Sequence, residues 1–172
     1  LFSRCNNIKK LNLQNLNTSL VSKMEGLFHY CEKLEFLDLR NFDTSLVVSM
    51  GWMFNACSKI KRILFSEKFN TSKVTVMYSM FSLCYLLTDL NLSSFDTSKV
   101  TQMVNMFAFC ESLKYLDISN FSPINITQMN YMFKNMYSLV YLNINSLEIS
   151  EITTKEDCFL NIPNYIKICE IK

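Results

Sequence analysis

The chain has 172 residues, 49% of them hydrophobic, and its 17 basic and 15 acidic residues leave a net charge of +2. The lysines are scattered beside aspartates and glutamates and form no basic stripe, so nucleic acid is not an expected partner. The longest apolar runs, such as residues 46–54, are broken by Ser and Gly well short of the ~20 residues that a membrane helix needs, so no membrane span is predicted.

The residue inventory also argues against catalysis and against a bound cofactor. Only two glycines occur, which excludes a glycine-rich phosphate loop. His29 is the only histidine, so neither a Ser-His-Asp or Cys-His set nor a histidine metal site can be assembled. We therefore predict a protein that is not an enzyme and that holds no metal and no cofactor.

A repeat of 26 residues runs along the chain, and residues 90–110, LNLSSFDTSKVTQMVNMFAFC, are a clear copy of it. An aliphatic residue opens each copy at a constant step of 26, with one step of 27: Leu11, Leu37, Ile63, Leu90, Leu116, Leu142 and Ile168. Over residues 146–172 the spacing of 26 residues persists, but the residue types depart from those of the other copies. We predict one domain over 1–172, with about six stacked repeats and a degenerate last repeat at 146–172, and expect it to be a fragment of a longer chain.

Each copy divides into the same elements in the same order. Apolar residues alternate over 90–95, which predicts a half-buried strand, and Asp96-Thr97-Ser98 predicts a turn made by side chains. A second short extended piece then begins at Val100. The apolar residues that follow are spaced by three, four and seven, which predicts a short helix: Met103, Met106, Phe107 and Cys110.

A unit of this size cannot offset its ordering entropy alone, so the copies must stack and form ladders of identical inward side chains. One predicted ladder holds Phe42, Phe69, Phe95 and Phe121, and another holds Met24, Met50, Met77, Met103 and Met129. The expected fold is an α/β solenoid. It would be a right-handed coil of 26-residue units with parallel strands on one face and short helices on the other.

The repeat resembles that of the BspA-like leucine-rich-repeat surface proteins, a family also known as a mycoplasma-type domain of unknown function. The shared pattern is LxxLDLSxFDTSxVTxMxxMFxxC, and it covers residues 1 to about 159. The copies depart from it locally at 64–66, at 121–124 and at Met136, which replaces a cysteine. The resemblance implies a leucine-rich-repeat solenoid at the cell surface or secreted, which binds other macromolecules as an adhesin and catalyses no reaction.

Five of the seven cysteines occupy one column of the repeat: Cys5, Cys31, Cys57, Cys84 and Cys110. No two cysteines have the close spacing of a structural zinc site. Disulfides between neighbouring copies are geometrically feasible, but a stacked inward column favours buried free thiols. Cys158 and Cys169 lie off this column, and Cys169, in an outward strand position, is the candidate reactive thiol.

Two outward strand columns are the candidate binding residues. The first, called the aromatic column, has the residue types enriched at interface hot spots and contains Phe36, Arg62, Asp89, Tyr115 and Tyr141. The second, called the Asx column, contains Asp38, Asn91, Asp117 and Asn143. Its side chains are either a solvated ladder or part of the binding surface, and a calcium site would need more carboxylates converging on one point.

These observations favour a non-catalytic recognition or adhesion module whose strand face binds protein or glycan. One alternative is a structural element that self-associates end to end, through uncapped ends, into a fibre or larger particle. Another is an intracellular scaffold. The resemblance alone favours a surface or secreted location, with an intracellular one as the alternative.

Overall fold

The computed structural model describes residues 1–66, 68–145, 147, 152, 154–165 and the backbone of 167–169. It contains five strands of three residues: β1 (Phe36–Asp38), β2 (Arg62–Leu64), β3 (Tyr115–Asp117), β4 (Tyr141–Asn143) and β5 (Lys167–Cys169). They form two parallel sheets, ordered β1-β2 and β3-β4-β5. Each strand pairs with the equivalent residues of a neighbouring copy, as Leu37 does with Ile63. Each copy of the repeat is therefore one rung of a stack.

A second ladder of parallel bridges follows each polar turn, as predicted from the extended piece at Val100. It joins six consecutive rungs through Lys23, Ser49, Val76, Gln102, Gln128 and Thr154. Because both ladders join equivalent positions, the rungs stack in register.

The prediction of an α/β leucine-rich-repeat solenoid with helices on one face is wrong, because the described residues contain no α-helix. The predicted helices are series of tight turns, here called return segments, at 24–31, 50–57, 77–84, 103–110 and 129–136. In the segment 103–110 the φ angles of Asn105 and Phe109 are +56° and +63°, values that a helix does not allow. Among the described residues, no helix has the length and apolar character needed to cross a membrane.

The backbone N–H groups of the return segments make two kinds of hydrogen bond, one within the segment and one to the next rung. Met106 N–H donates to Met103 O at 3.1 Å, which closes a turn with a left-handed residue at its third position. Asn105 N–H donates instead to Asn130 O of the next rung at 2.9 Å. In a helix every interior N–H would bond within its own segment, and none would be left to join the rungs.

The polar turns join the rungs through buried threonines. Thr71 Oγ1 donates to Asp96 O at 2.8 Å and accepts from Asp96 N–H at 2.7 Å. Thr18 makes the same two bonds to Asp43, both at 2.9 Å. The preceding Asx residue caps its own turn, as when Asn70 Oδ1 accepts from Ser72 N–H at 2.8 Å. The Asx-Thr-Ser motif thus makes the turn and joins it to the next rung.

The predicted ladders of inward side chains form the core. Phe42, Phe69, Phe95 and Phe121 are all buried, as are Met24, Met50, Met77, Met103 and Met129. A further stack runs through the return segments, with ring centroids 5.4 to 6.0 Å apart, and contains Phe2, Phe28, Phe54, Phe81, Phe107, Phe133 and Phe159. These aromatic and methionine columns therefore fill the interior.

Two copies that should contribute a strand do not. Residues 11–13 and 90–92 are not strands, although the alternation over 90–95 predicts one. The first sheet continues past β2 only as the single bridge between Arg62 and Asp89, and the next sheet begins at β3. Strand pairing is thus interrupted before β1 and before β3.

Candidate functional site: the strand face

The outward side chains of the strands and of residues 89–93 form one surface, here called the strand face. In the aromatic column Phe36 is 42% exposed and Tyr115 is 65% exposed, while Tyr141 is half-buried. The parallel register places Arg62 next to Phe36, and Tyr141 next to Tyr115. The structure therefore brings the residues of this column together in two groups, one on each side of the break before β3.

Arg62 and Asp89 form an ion pair at the edge of the first group. The distance from Arg62 Nε to Asp89 Oδ2 is 2.8 Å, and both side chains are more than half exposed. An exposed pair of this kind contributes at most about 1 kcal/mol to stability. Its effect is to neutralise the two charges and to fix the direction of both side chains on the strand face.

The Asx column mainly supports the turns that follow the strands. Asn91 Oδ1 accepts from Ser93 N–H at 3.0 Å. Asp38 accepts from Arg40 N–H at 3.1 Å, and the Arg40 guanidinium donates to both of its oxygens at 2.9 and 2.7 Å. These side-chain bonds from Arg40 lower the pKa of Asp38. Asp38 and Asn91 each form an Asx turn, in which the side chain accepts a hydrogen bond from the backbone two residues later.

The predicted ladder along the Asx column is present between two residues. Asn143 Nδ2 donates to Asp117 Oδ2 at 3.2 Å across the β3-β4 pair. Asp117 Oδ1 also accepts from the N–H and the hydroxyl of Ser119, at 2.9 and 2.7 Å. The hydrogen bonds from Ser119 lower the pKa of Asp117. The carboxylate is thus held ionised at neutral pH, with its oxygens at the surface.

A groove lies at each interruption of strand pairing. The N-terminal groove, of about 530 Å³, lies between residues 11–14 and 36–41. The C-terminal groove, of about 660 Å³, lies between residues 88–93 and 115–120 and is also bordered by Tyr141. Five of the nine predicted binding residues line the C-terminal groove: Asp89, Asn91, Tyr115, Asp117 and Tyr141.

Sequence reasoning missed the residues that border the two breaks. Asn41 Nδ2 donates to Leu13 O at 2.8 Å, and Asn120 Nδ2 donates to Leu92 O at 3.1 Å, so each side-chain amide spans one break. A signal for both exists in the sequence. The segments FLDLRN at 36–41 and YLDISN at 115–120 share an aromatic residue, an aspartate and an asparagine at equal spacing, whereas the copies at 62–67 and 141–146 end in Glu and Ser.

The cysteine column is part of the core. Cys31, Cys57, Cys84 and Cys110 are buried free thiols, as predicted. Each thiol contacts a carbonyl of the preceding rung, as Cys84 Sγ does with Phe54 O at 3.2 Å. Burial raises the pKa of all four thiols and raises the pKa of Cys158 to about 12. The side chain of Cys169, the candidate reactive thiol, lies outside the described residues.

No metal-binding constellation is found in the described part of the chain, where no three His, Cys, Asp or Glu side chains converge. His29 packs against Tyr30, with ring centroids 4.4 Å apart. The pKa of His29 is lowered, mainly because burial disfavours the charged imidazolium. The strand face therefore remains the principal candidate for a functional surface.

Comparison with known proteins leads to a single family. No curated protein and no solved structure is detectably similar to the chain. One family model, described as a Mycoplasma protein of unknown function, DUF285, matches residues 1–89 and again residues 53–168. The two matches overlap, as expected for a repeat that can be aligned in more than one register. Because together they span almost the whole chain, the protein belongs to the DUF285 family.

Proposed function

We propose that this chain is a non-catalytic recognition or adhesion module of a surface or secreted protein, and that its strand face binds a protein or glycan ligand. The observation that carries the proposal is the exposure of two large rings on the strand face, Phe36 beside Arg62 and Tyr115 beside the half-buried Tyr141. Large rings that stay exposed while the core is filled by their neighbours are typical of binding surfaces.

The backbone supports a binding role for this face because the parallel pairing fixes the Cα positions from which the rings project. Tyr115 and Tyr141 are neighbours in a parallel ladder, and the residues that follow them, Leu116 and Leu142, are fully buried. Rings presented in this way lose little conformational entropy when a ligand binds. The resemblance of the repeat to BspA-like leucine-rich-repeat surface proteins supports the surface location and the adhesive role.

The test compares two variants that each lose three aromatic rings with solvent-accessible surface. The first carries Phe36→Ala, Tyr115→Ala and Tyr141→Ala on the strand face. The matched control carries Tyr30→Ala, Trp52→Ala and Tyr137→Ala, whose rings are 38%, 43% and 50% exposed outside that face. Wild type and both variants are immobilised and probed with purified extracellular proteins and with a printed glycan array.

We expect the strand-face variant to lose bound ligand by about tenfold or more, while the control keeps it, because truncated hot-spot rings cost more than 1 kcal/mol each. Thermal unfolding of both variants monitors the fold. If the control loses the ligand and the strand-face variant keeps it, the binding surface is elsewhere. If wild type binds nothing and its sedimentation coefficient instead rises with protein concentration, end-to-end assembly replaces the proposal.

A further inference from the structure

The C-terminal groove combines an aromatic ring with many small hydrogen-bonding groups. Tyr115 forms an exposed wall, and Tyr141 lies beside it in the next strand. The lining also contains amide, hydroxyl and carboxylate groups, from Asn91, Ser93, Asp117 and Ser119. A ligand that fills this groove must therefore present both an apolar face and several hydrogen-bonding groups.

The charges of the groove disfavour an anionic ligand. Among its described lining residues there is no lysine or arginine. The carboxylate of Asp89 is paired with Arg62 at 2.8 Å, and that of Asp117 accepts hydrogen bonds from Ser119 and Asn143. A phosphate, sulfate or carboxylate group would meet these two carboxylates, and the Arg62 guanidinium beside the groove is already paired with Asp89.

An apolar peptide side chain is a poor occupant for a different reason. It would cover the side-chain N–H groups of Asn91 and the hydroxyl of Ser93 without offering them hydrogen bonds, and each polar group buried unpaired costs about 1–3 kcal/mol. A neutral saccharide has the opposite properties. Its C–H face can pack on the Tyr115 ring, and its hydroxyls can donate to the Asp117 carboxylate and bond to the amide and hydroxyl groups.

We propose that the C-terminal groove is a binding subsite for a neutral saccharide. The inference rests on the proposed recognition function and narrows its ligand class at this site. Tyr115 supplies the stacking surface, Asp117 accepts hydrogen bonds from hydroxyls, and Asn91 and Ser119 contribute further polar contacts.

The N-terminal groove provides an internal comparison because it is built from equivalent positions, 79 residues earlier in the sequence. Phe36 and Asp38 there correspond to Tyr115 and Asp117, and Arg40 corresponds to Ser119. The Arg40 guanidinium occupies both oxygens of Asp38, so this carboxylate is engaged within the chain. The substitution Ser119→Arg should engage the Asp117 carboxylate of the C-terminal groove in the same way, with a side chain that the fold already accepts at an equivalent position.

The experiment uses a glycan array that contains neutral, sialylated and sulfated oligosaccharides, followed by calorimetric titration with the strongest neutral oligosaccharide. The proteins are wild type, Ser119→Arg, Tyr115→Ala and the control Tyr137→Ala, with backbone NMR spectra to verify the fold. We expect wild type and Tyr137→Ala to bind with the same Kd. We expect Ser119→Arg and Tyr115→Ala each to weaken binding by about tenfold or more.

The outcomes separate this inference from the proposed function. If only acidic glycans or only proteins bind, and the three-ring strand-face variant loses them, the saccharide subsite is refuted while the recognition function stands. If a neutral saccharide binds with unchanged Kd in both groove variants, the subsite is elsewhere and the inference fails. If neither saccharides nor proteins bind wild type, both proposals fall.

Discussion

The buried threonines of the polar turns give a quantitative test of how the rungs are joined. Thr71 is 1% exposed, and its hydroxyl both donates to Asp96 O and accepts from Asp96 N–H, at 2.8 and 2.7 Å. The substitution Thr71→Val keeps the shape of the side chain and removes both bonds. Because Asp96 then loses two part-buried hydrogen bonds, each contributing about 1 kcal/mol, we expect a loss of about 2 kcal/mol in the free energy of unfolding.

Two other threonines serve as matched controls for this prediction. Thr97 is equally buried, but its hydroxyl makes one such bond, from Ser122 N–H at 2.8 Å, so Thr97→Val should cost about 1 kcal/mol. Thr101 is half-buried, and its hydroxyl reaches Thr75 O at 3.3 Å, so Thr101→Val should cost less than about 0.5 kcal/mol.

The assay is equilibrium unfolding in urea, with amide hydrogen exchange of Asp96 as a local readout. The expected order of destabilisation is Thr71→Val, then Thr97→Val, then Thr101→Val, with faster exchange at Asp96 only in the first. Equal losses for the two buried threonines would refute the reasoning. So would an Asp96 amide that stays as protected as in wild type.

Three further predictions concern other parts of the stack. The thiol of Cys84, whose pKa burial raises well above 9.0, should resist iodoacetamide in the native protein and react only after unfolding, as peptide mass spectrometry would show. Gly51→Ala should lower the free energy of unfolding by about 1 kcal/mol or more, because the added Cβ would lie 2.9 Å from the Tyr78 ring. Trp52 is the single tryptophan and packs edge-on against Tyr78. Its fluorescence emission should therefore shift in this variant. Hydrogen bonds from Ser98 lower the pKa of Asp96 below its ordinary 3.8, so their stabilisation is complete above that value and is lost as the pH falls through the depressed folded pKa. Asp96→Asn keeps the hydrogen-bond acceptor but has no carboxyl group to protonate. The free energy of unfolding of this variant, measured in urea, should therefore vary less with pH across that acid range.

The stacking of the rungs could be predicted from the sequence because it depends on burial. Phe107 and its copies recur at one step, and a side chain that is apolar in every copy must point inward in every copy. The same logic identified the free thiols, since Cys84 lies among buried residues on both neighbouring rungs. The periodicity of the sequence therefore predicts reliably which side chains point into the core.

The backbone conformation of the return segments could not be predicted in the same way. Spacings of three, four and seven place Met103, Met106, Phe107 and Cys110 on one side in a helix, but a series of tight turns does the same, and all four are buried. The two conformations differ in the φ of Asn105 and Phe109. Among the described residues with positive φ, the types of Gly26 and Asn105 favour the left-handed region, whereas the type of Phe109 gives no such signal.

The candidate site was predicted in part. The exposed rings of Phe36 and Tyr115 follow from strand alternation, which places them opposite the buried leucines. The grooves do not follow from it, because alternation over residues 90–92 predicts a strand that would close the gap next to β3. The asparagines at 41 and 120 mark the two breaks, but only the structure shows that their amides span them.

The two breaks also show which bonds hold the rungs together. At the break before β3 the rungs remain joined by the return segments, through bonds such as Phe107 N–H to Met132 O at 3.0 Å, and by the Thr97 hydroxyl. The phenylalanine stack continues across the same break from Phe107 to Phe133, with ring centroids 6.0 Å apart. Strand pairing is thus dispensable for stacking at this point. Since strand pairing is not needed there to join the rungs, we expect Tyr115→Ala to leave the stack intact.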